Sequence, residues 1–119
     1  MDEFGLSDDQ RRQLREHMHA ELERLAGEID TLTAMTRPVS PDRAIGRLSR
    51  LEAMNEKSMN EASMRAAQKL HARIRNALGR LDDDDYGLCA GCDVVIPFER
   101  LKTMPGTRLC VGCAERAEH

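Results

Sequence analysis

Cys89-Ala-Gly-Cys92 and Cys110-Val-Gly-Cys113 are two matched brackets separated by seventeen residues, and they hold every cysteine of the chain. Each bracket can direct two sulfurs at a common centre, so the pair can close a tetrahedral cage around one metal ion. Thiolates suit Zn2+, which demands tetrahedral ligands and brings no redox chemistry. With cysteine at all four positions, no place is left for a reactive water, and the expectation is one structural Zn2+. A rubredoxin-like single iron or two redox dithiols are the alternatives. A redox dithiol usually sits between a strand and a helix, and that context is absent here.

Details around the brackets extend this reading. Gly91 and Gly112 each precede the second cysteine of a pair, where glycine is expected to permit a sharp turn and leave amide N–H groups facing sulfur. Arg100, Lys102 and Arg108 lie between the brackets and are expected to offset the negative charge of four thiolates. Tyr86, Ile96, Phe98 and Leu101 are the expected small core. Pro97 is placed to open a short helix, and Pro105-Gly106 to make a turn.

Outward from the finger, the composition points to helices. The 119 residues include no Trp, one Tyr and two Phe, and 33% are charged. The apolar positions are mostly Leu, Met and Ala, which favour helix over sheet. Such a chain suits an elongated helical arm with a small end piece. That end piece is too short to hold itself by burial, so a metal there is physically reasonable.

Ser7-Asp8-Asp9-Gln10 reads as a capping box with two acids at the positive helix end. Leu14, Met18, Leu22, Leu25, Ile29 and Leu32 follow at spacings of three and four, predicting a helix to about Met35. Pro38 ends it. Ser40, Pro41 and Asp42 offer an N-cap, a first helical residue and a dipole-complementing acid. A second stripe is read through Ile45, Leu48, Leu51, Met54, Met59, Ala62, Ala66, Leu70, Ile74, Ala77 and Leu81, with Gly46 a weak point in an early turn and Asn55 beside the stripe as a residue that could fix register. Asp82–Asp85 opposes the helix dipole and marks the end, as a solvated linker or an acidic patch for a basic partner.

Two long amphipathic helices joined by few residues should fold back on each other. The fold class is therefore mainly α: a long antiparallel helical hairpin (coiled coil) over residues 1–81, with its tip near 36–45, followed by a four-cysteine zinc finger over 82–119. Charge agrees with the pairing of the arms. Residues 1–35 carry nine acids against four bases, and residues 52–81 carry three against six. At about 1.5 Å per residue the arms would run roughly 40 and 60 Å. The unequal lengths imply that Leu70 to Leu81 packs on something other than the first helix: the finger, or a second copy of the chain.

Several functions are disfavoured. The acidic start, Met1-Asp-Glu-Phe-Gly-Leu6, is no secretory leader, and no run reaches transmembrane length. A cytoplasmic protein with reduced thiols is expected, in keeping with metal binding. A net charge of −3 argues against general coating of nucleic acid. His17, His19, His71 and His119 are scattered and read as surface residues. No triad, phosphate loop or convergent carboxylate pair appears, and an enzyme is not expected.

The segment from Asp82 through Tyr86-Gly87 to Cys92, then Ile96-Pro-Phe-Glu-Arg-Leu101, Pro105 and Cys110-Val-Gly-Cys113, resembles the DksA/TraR family of bacterial zinc-finger proteins (DnaK suppressor proteins). The hairpin ahead of the finger is similar too, so the resemblance covers most of the chain. It implies a transcription regulator that binds RNA polymerase rather than DNA. The coiled coil would enter the secondary channel, and the alarmone ppGpp would act only in the polymerase complex. The family's tip pattern of aspartate and alanine three apart falls on Asp42-Arg43-Ala44-Ile45, making Asp42, Arg43 and Ile45 the partner-binding tip. Ile45 stands where the family has alanine, and Val39 where a further acid is often found. Arg37, Arg43, Arg47 and Arg50 make the surroundings basic. Full-size members carry a longer N-terminal extension, which this chain is expected to lack.

Two other classes compete. A nucleic-acid-binding finger would use Arg100, Lys102 and Arg108, against the acidic balance of residues 82–119 and without a basic recognition helix. A coiled-coil adaptor without catalytic activity would self-associate through the unmatched end of the second helix.

Overall fold

The structure is a computed structural model. It describes residues 6–36 and 46–118, with 46–50 as backbone only. Four helices follow in order: α1 (Asp8–Met35), α2 (Gly46–Arg80), α3 (Phe98–Thr103) and α4 (Val111–Glu118). Among the described residues the β-structure is a single bridge between Leu88 and Val95. The protein is thus mainly α, a helical hairpin followed by a four-cysteine module.

The capping box forms as the sequence requires. Ser7 Oγ accepts the Gln10 N–H at 3.0 Å, and Gln10 Oε1 accepts the Ser7 N–H at 3.0 Å, satisfying two groups that a helix start leaves open. Asp8 and Asp9 occupy the first turn, where the dipole favours acids.

The chain divides into two compact units. The first comprises Met1–Leu22 with Ala72–His119. Its helical core is Leu14 and Met18 of α1 with Ile74, Ala77 and Leu81, all fully enclosed. Burying a side chain of this size stabilises by about 1.5–3 kcal/mol. The guanidinium of Arg11 donates to the carbonyls of Leu81 and, at 3.3 Å, Asp83. Arg15 pairs with Asp82 at 2.6 Å. Carbonyls at a helix C-terminus lack intrahelical donors, and Arg11 supplies them from the other helix. Leu70 to Leu81, expected to pack on something other than helix 1, meets the start of α1, and the expected contact with the finger is also made, at Arg73 and Arg80. Asp82 is held by Arg15, and the rest of the acidic run is exposed.

The second unit is Glu23–His71. Leu25 and Ala67 are buried in it, Ile29, Leu32 and Met64 are half-buried, and Thr33 Oγ1 donates to Met64 Sδ at 3.4 Å. The α1 stripe therefore stands as expected. The α2 stripe stands through Leu70, Ile74, Ala77 and Leu81 but not ahead of them. Its inward positions are Ala53, Lys57, Asn60, Met64, Ala67 and His71, buried or half-buried, at alternating spacings of four and three, the 3.5-residue period of paired helices. Leu51, Met54 and Met59 are 53%, 55% and 71% exposed. The expected stripe followed the largest apolar residues, whereas the seam accepts the aliphatic stem of Lys57 and the amide of Asn60. Asn55 is exposed, so the polar residue on the seam is Asn60. Lys57–Glu61 and Arg24–Glu28 are ion pairs within one helix.

No described helix is long and apolar enough to cross a membrane. Asp42, Arg43 and Ile45, with Val39, Ser40 and Pro41, lie outside the described residues.

Candidate metal centre

A run of turns leads from α2 into the finger: the N–H groups of Asp83, Tyr86 and Leu88 donate to the carbonyls of Arg80, Asp83 and Asp85 at 2.9, 3.1 and 3.2 Å. Residues 87–96 then double back. Ile96 N–H donates to Gly87 O at 2.7 Å and Cys89 N–H to Val94 O at 2.8 Å, which closes the first knuckle around Cys89 and Cys92. Asp93 turns the corner at φ 63, a conformation that Asp tolerates better than most side chains. The second knuckle opens α4. Ala114 N–H donates to Cys110 O at 2.9 Å, so Cys110 takes the N-cap place and Cys113 the first turn. Ala90 N–H reaches Arg108 O at 2.8 Å and ties the knuckles together.

Beneath them lie Tyr86, Ile96 and Leu101, all buried, with Phe98 half-buried. Pro97 opens α3, as expected from sequence. Pro105-Gly106 makes the turn, with Thr107 N–H on Met104 O at 3.0 Å and Gly106 at φ +90. A Cβ on Gly106 would stand 3.1–3.2 Å from the Cβ and backbone of Arg73, so this glycine lets the finger sit against α2. Arg80 lies over the Tyr86 ring, 5.5 Å from its centroid. The Tyr86 hydroxyl is enclosed without a hydrogen-bond partner, and burial raises its pKa against the lowering effect of Arg80.

The four Sγ atoms of Cys89, Cys92, Cys110 and Cys113 all lie within 4.8 Å of one another, and Cys92 to Cys110 is 3.7 Å. A tetrahedral Zn2+ with Zn–S bonds of about 2.3 Å sets its sulfurs about 3.8 Å apart. The donor set and its spacing therefore fit zinc. Backbone amides are aimed at the sulfurs: Gly91 and Cys110 N–H at Cys89 Sγ, both 3.3 Å, and Cys113 N–H at Cys110 Sγ, 3.5 Å. The Cys110 amide, foremost, pulls the Cys89 thiol down to about 6, so this sulfur is largely ionised at neutral pH. Cys110 is lowered by the Cys113 amide. Cys113 is pushed up to about 12 because its proton is shared with the sulfurs of Cys89 and then Cys92. Crowding four thiolates is unfavourable until a dication offsets their charge.

Two expectations about the surroundings change. Gly91 has no positive φ among the described glycines. Its amide faces Cys89 Sγ as expected, and the further reason for glycine is proximity, because a Cβ there would stand 3.0 Å from Cys113 Sγ and 3.4 Å from Cys113 Cβ. Gly91→Ala should therefore move a ligand sulfur and weaken zinc binding on the order of tenfold or more, as disturbances next to metal ligands do, measured by chelator competition. The contacts of Arg100 are not to a cysteine sulfur. Its Nε donates to Leu109 O at 3.0 Å and its Nη1 to Met104 Sδ at 3.3 Å. The guanidinium on the cluster is that of Arg116, with Nη2 3.0 Å from Cys113 Sγ. It was missed, although a base three residues beyond the last cysteine, on a short helix, is the available signal.

Beside the finger, Arg73, Arg100 and Arg108 line a groove of about 350 Å³ floored by Met104, Leu109 and Ala114. No carboxylate lines it.

A helical hairpin ending in a closed four-cysteine knuckle pair defines a zinc-finger protein with a structural zinc ion. Residues 84–119 match the prokaryotic dksA/traR C4-type zinc finger. The RNA polymerase-binding transcription factor DksA of Escherichia coli is 37% identical over 51 residues, 43% of this chain and 34% of that protein. The Haemophilus influenzae factor of the same name is 39% identical over 51 residues, 43% of this chain and 35% of the relative. The match thus spans about a third of these curated relatives. The solved structure of transcription factor DksA2 from Pseudomonas aeruginosa superposes with a TM-score of 0.70 at 24% identity, covering 94% of this chain and 85% of that one, a likeness of fold. The finger of this chain is similar to that of the DksA/TraR family, and its fold is similar to that of DksA2.

Proposed function

We propose that this protein is a non-catalytic regulator of transcription that binds RNA polymerase and acts there through the tip of its hairpin. The observation that carries the reading is the chain's similarity, over 51 residues, to factors named as RNA polymerase-binding. In this reading Cys89, Cys92, Cys110 and Cys113 hold one structural Zn2+. The ion supplies a cross-link between the two knuckles, and the chain's own residues do the recognition. The tip, residues 36–45 with Asp42, Arg43 and Ile45, enters the secondary channel and brings the Asp42 carboxylate toward the catalytic centre.

The groove of Arg73, Arg100 and Arg108 supports a place for the phosphates of ppGpp, completed only on the polymerase, since guanidinium groups bind phosphate through paired hydrogen bonds. Direct DNA binding is not part of the proposal: the finger carries acids in excess of bases, and a salt-dependent mobility shift on DNA would revive that reading.

The test is a pull-down with core polymerase and transcription in vitro. Wild type and Asp42→Asn should bind polymerase alike, while the substitution should remove most of the effect on promoter output. Absence of association at micromolar protein would sink the proposal.

A further inference from the structure

The four sulfurs of the cluster are not supported in the same way. Cys89 Sγ receives two backbone N–H groups and Cys110 Sγ one. The donor on Cys113 Sγ is a side chain, Arg116 Nη2 at 3.0 Å. Arg116 stands three residues on from Cys113 in α4, so the two share one helix face. Its guanidinium lies across Gly112, with Nη1 3.6 Å from where a Cβ on that glycine would stand. The neighbouring cations act elsewhere: Arg100 is engaged with Leu109 and Met104, and Arg108 lines the adjacent groove.

A zinc ion with four thiolates leaves the centre with about two negative charges. Donors outside the ligand set hold each sulfur in direction and draw off part of that charge. At Cys89 and Cys110 such donors belong to the backbone and come with the turn. At Cys113 the donor is a replaceable side chain with a full positive charge.

Resting on the reading that the four cysteines hold one Zn2+, we propose that Arg116 is a positioning residue of the metal centre, a cationic clamp on Cys113 that sets how firmly zinc is retained. It aims the sulfur at the ion and lowers the negative charge of the ligand set. Without it Cys113 Sγ loses its side-chain donor, its direction is less fixed, and the ion leaves more readily.

The experiment uses the full chain, zinc-loaded, as wild type, Arg116→Gln, Arg116→Lys and Arg108→Gln. Zinc transfer to a chromogenic chelator gives rate and affinity, and circular dichroism with tyrosine fluorescence checks that each loaded protein is folded. The Co2+-loaded proteins report the ligand set through their sulfur-to-cobalt charge-transfer band. Arg116→Gln is expected to release zinc about tenfold more readily and to shift the cobalt band. Arg116→Lys should lie between it and wild type, and Arg108→Gln should match wild type. Equal retention by Arg116→Gln and wild type overturns the clamp. Equal weakening by Arg108→Gln also overturns it, because the effect would then be one of general charge. A wild type that binds less than one equivalent of zinc would instead sink the underlying ligand assignment.

Discussion

Stripping the metal with a strong chelator should unfold the finger and leave α1 and α2 helical. The finger's own core is Tyr86, Ile96 and Leu101, far too little to offset the conformational entropy of some thirty residues. The cross-link by zinc supplies the difference, and structural zinc in small fingers contributes an apparent binding free energy of about 10–16 kcal/mol. α3 and α4 have 6 and 8 residues against 28 and 35 in the long helices, so far-ultraviolet dichroism should fall only slightly. The reporter is Tyr86. It is the single tyrosine of a chain without tryptophan, and it is buried within the finger. Its fluorescence and near-ultraviolet dichroism should change to those of a solvated tyrosine on chelation and return with one equivalent of zinc. An unchanged Tyr86 signal, or loss of most of the helix signal, would contradict this division of labour.

Ile74→Ala should destabilise the protein by about 2–5 kcal/mol, the cost of opening a cavity in a close-packed core, whereas Met59→Ala should lie within about 0.5 kcal/mol of wild type. Ile74 is 0% exposed and Met59 is 71% exposed. Both belong to the apolar stripe that the sequence suggests for α2, so the contrast is a direct test of which face of that helix is inward. Urea titration followed by helix dichroism measures it. Equal losses for the two variants would restore the stripe through Met54 and Met59 and remove the seam through Lys57 and Asn60.

That seam shows where reading by hydrophobicity stops. In α1 the apolar residues and the inward face coincide, since Leu14, Met18 and Leu25 are both large and buried, and the helix is legible from its cap to Met35. In the first half of α2 they separate. An apolar side chain can remain exposed at modest cost, and a lysine can cover a seam with its methylene groups. The 3.5-residue period, rather than the size of the side chains, identifies the partner face.

The sequence by itself determined what depends on near neighbours along the chain: the Ser7–Gln10 capping box, the two cysteine knuckles, the short helix after Pro97, the turn at Pro105-Gly106, and from these a helical hairpin with a four-cysteine finger. Hydrogen bonds three residues apart and two cysteines in one turn are set by local backbone geometry, so their spacing is a sufficient signal. The tertiary structure decided which atoms from remote segments meet. It set Arg11 on the carbonyls ending α2, turned Lys57 and Asn60 toward the seam, placed Arg73 beside Arg100 and Arg108, and gave Gly91 its purpose through the sulfur of Cys113. Such meetings follow from packing and from the relative register of segments tens of residues apart, and no pattern within either segment encodes them.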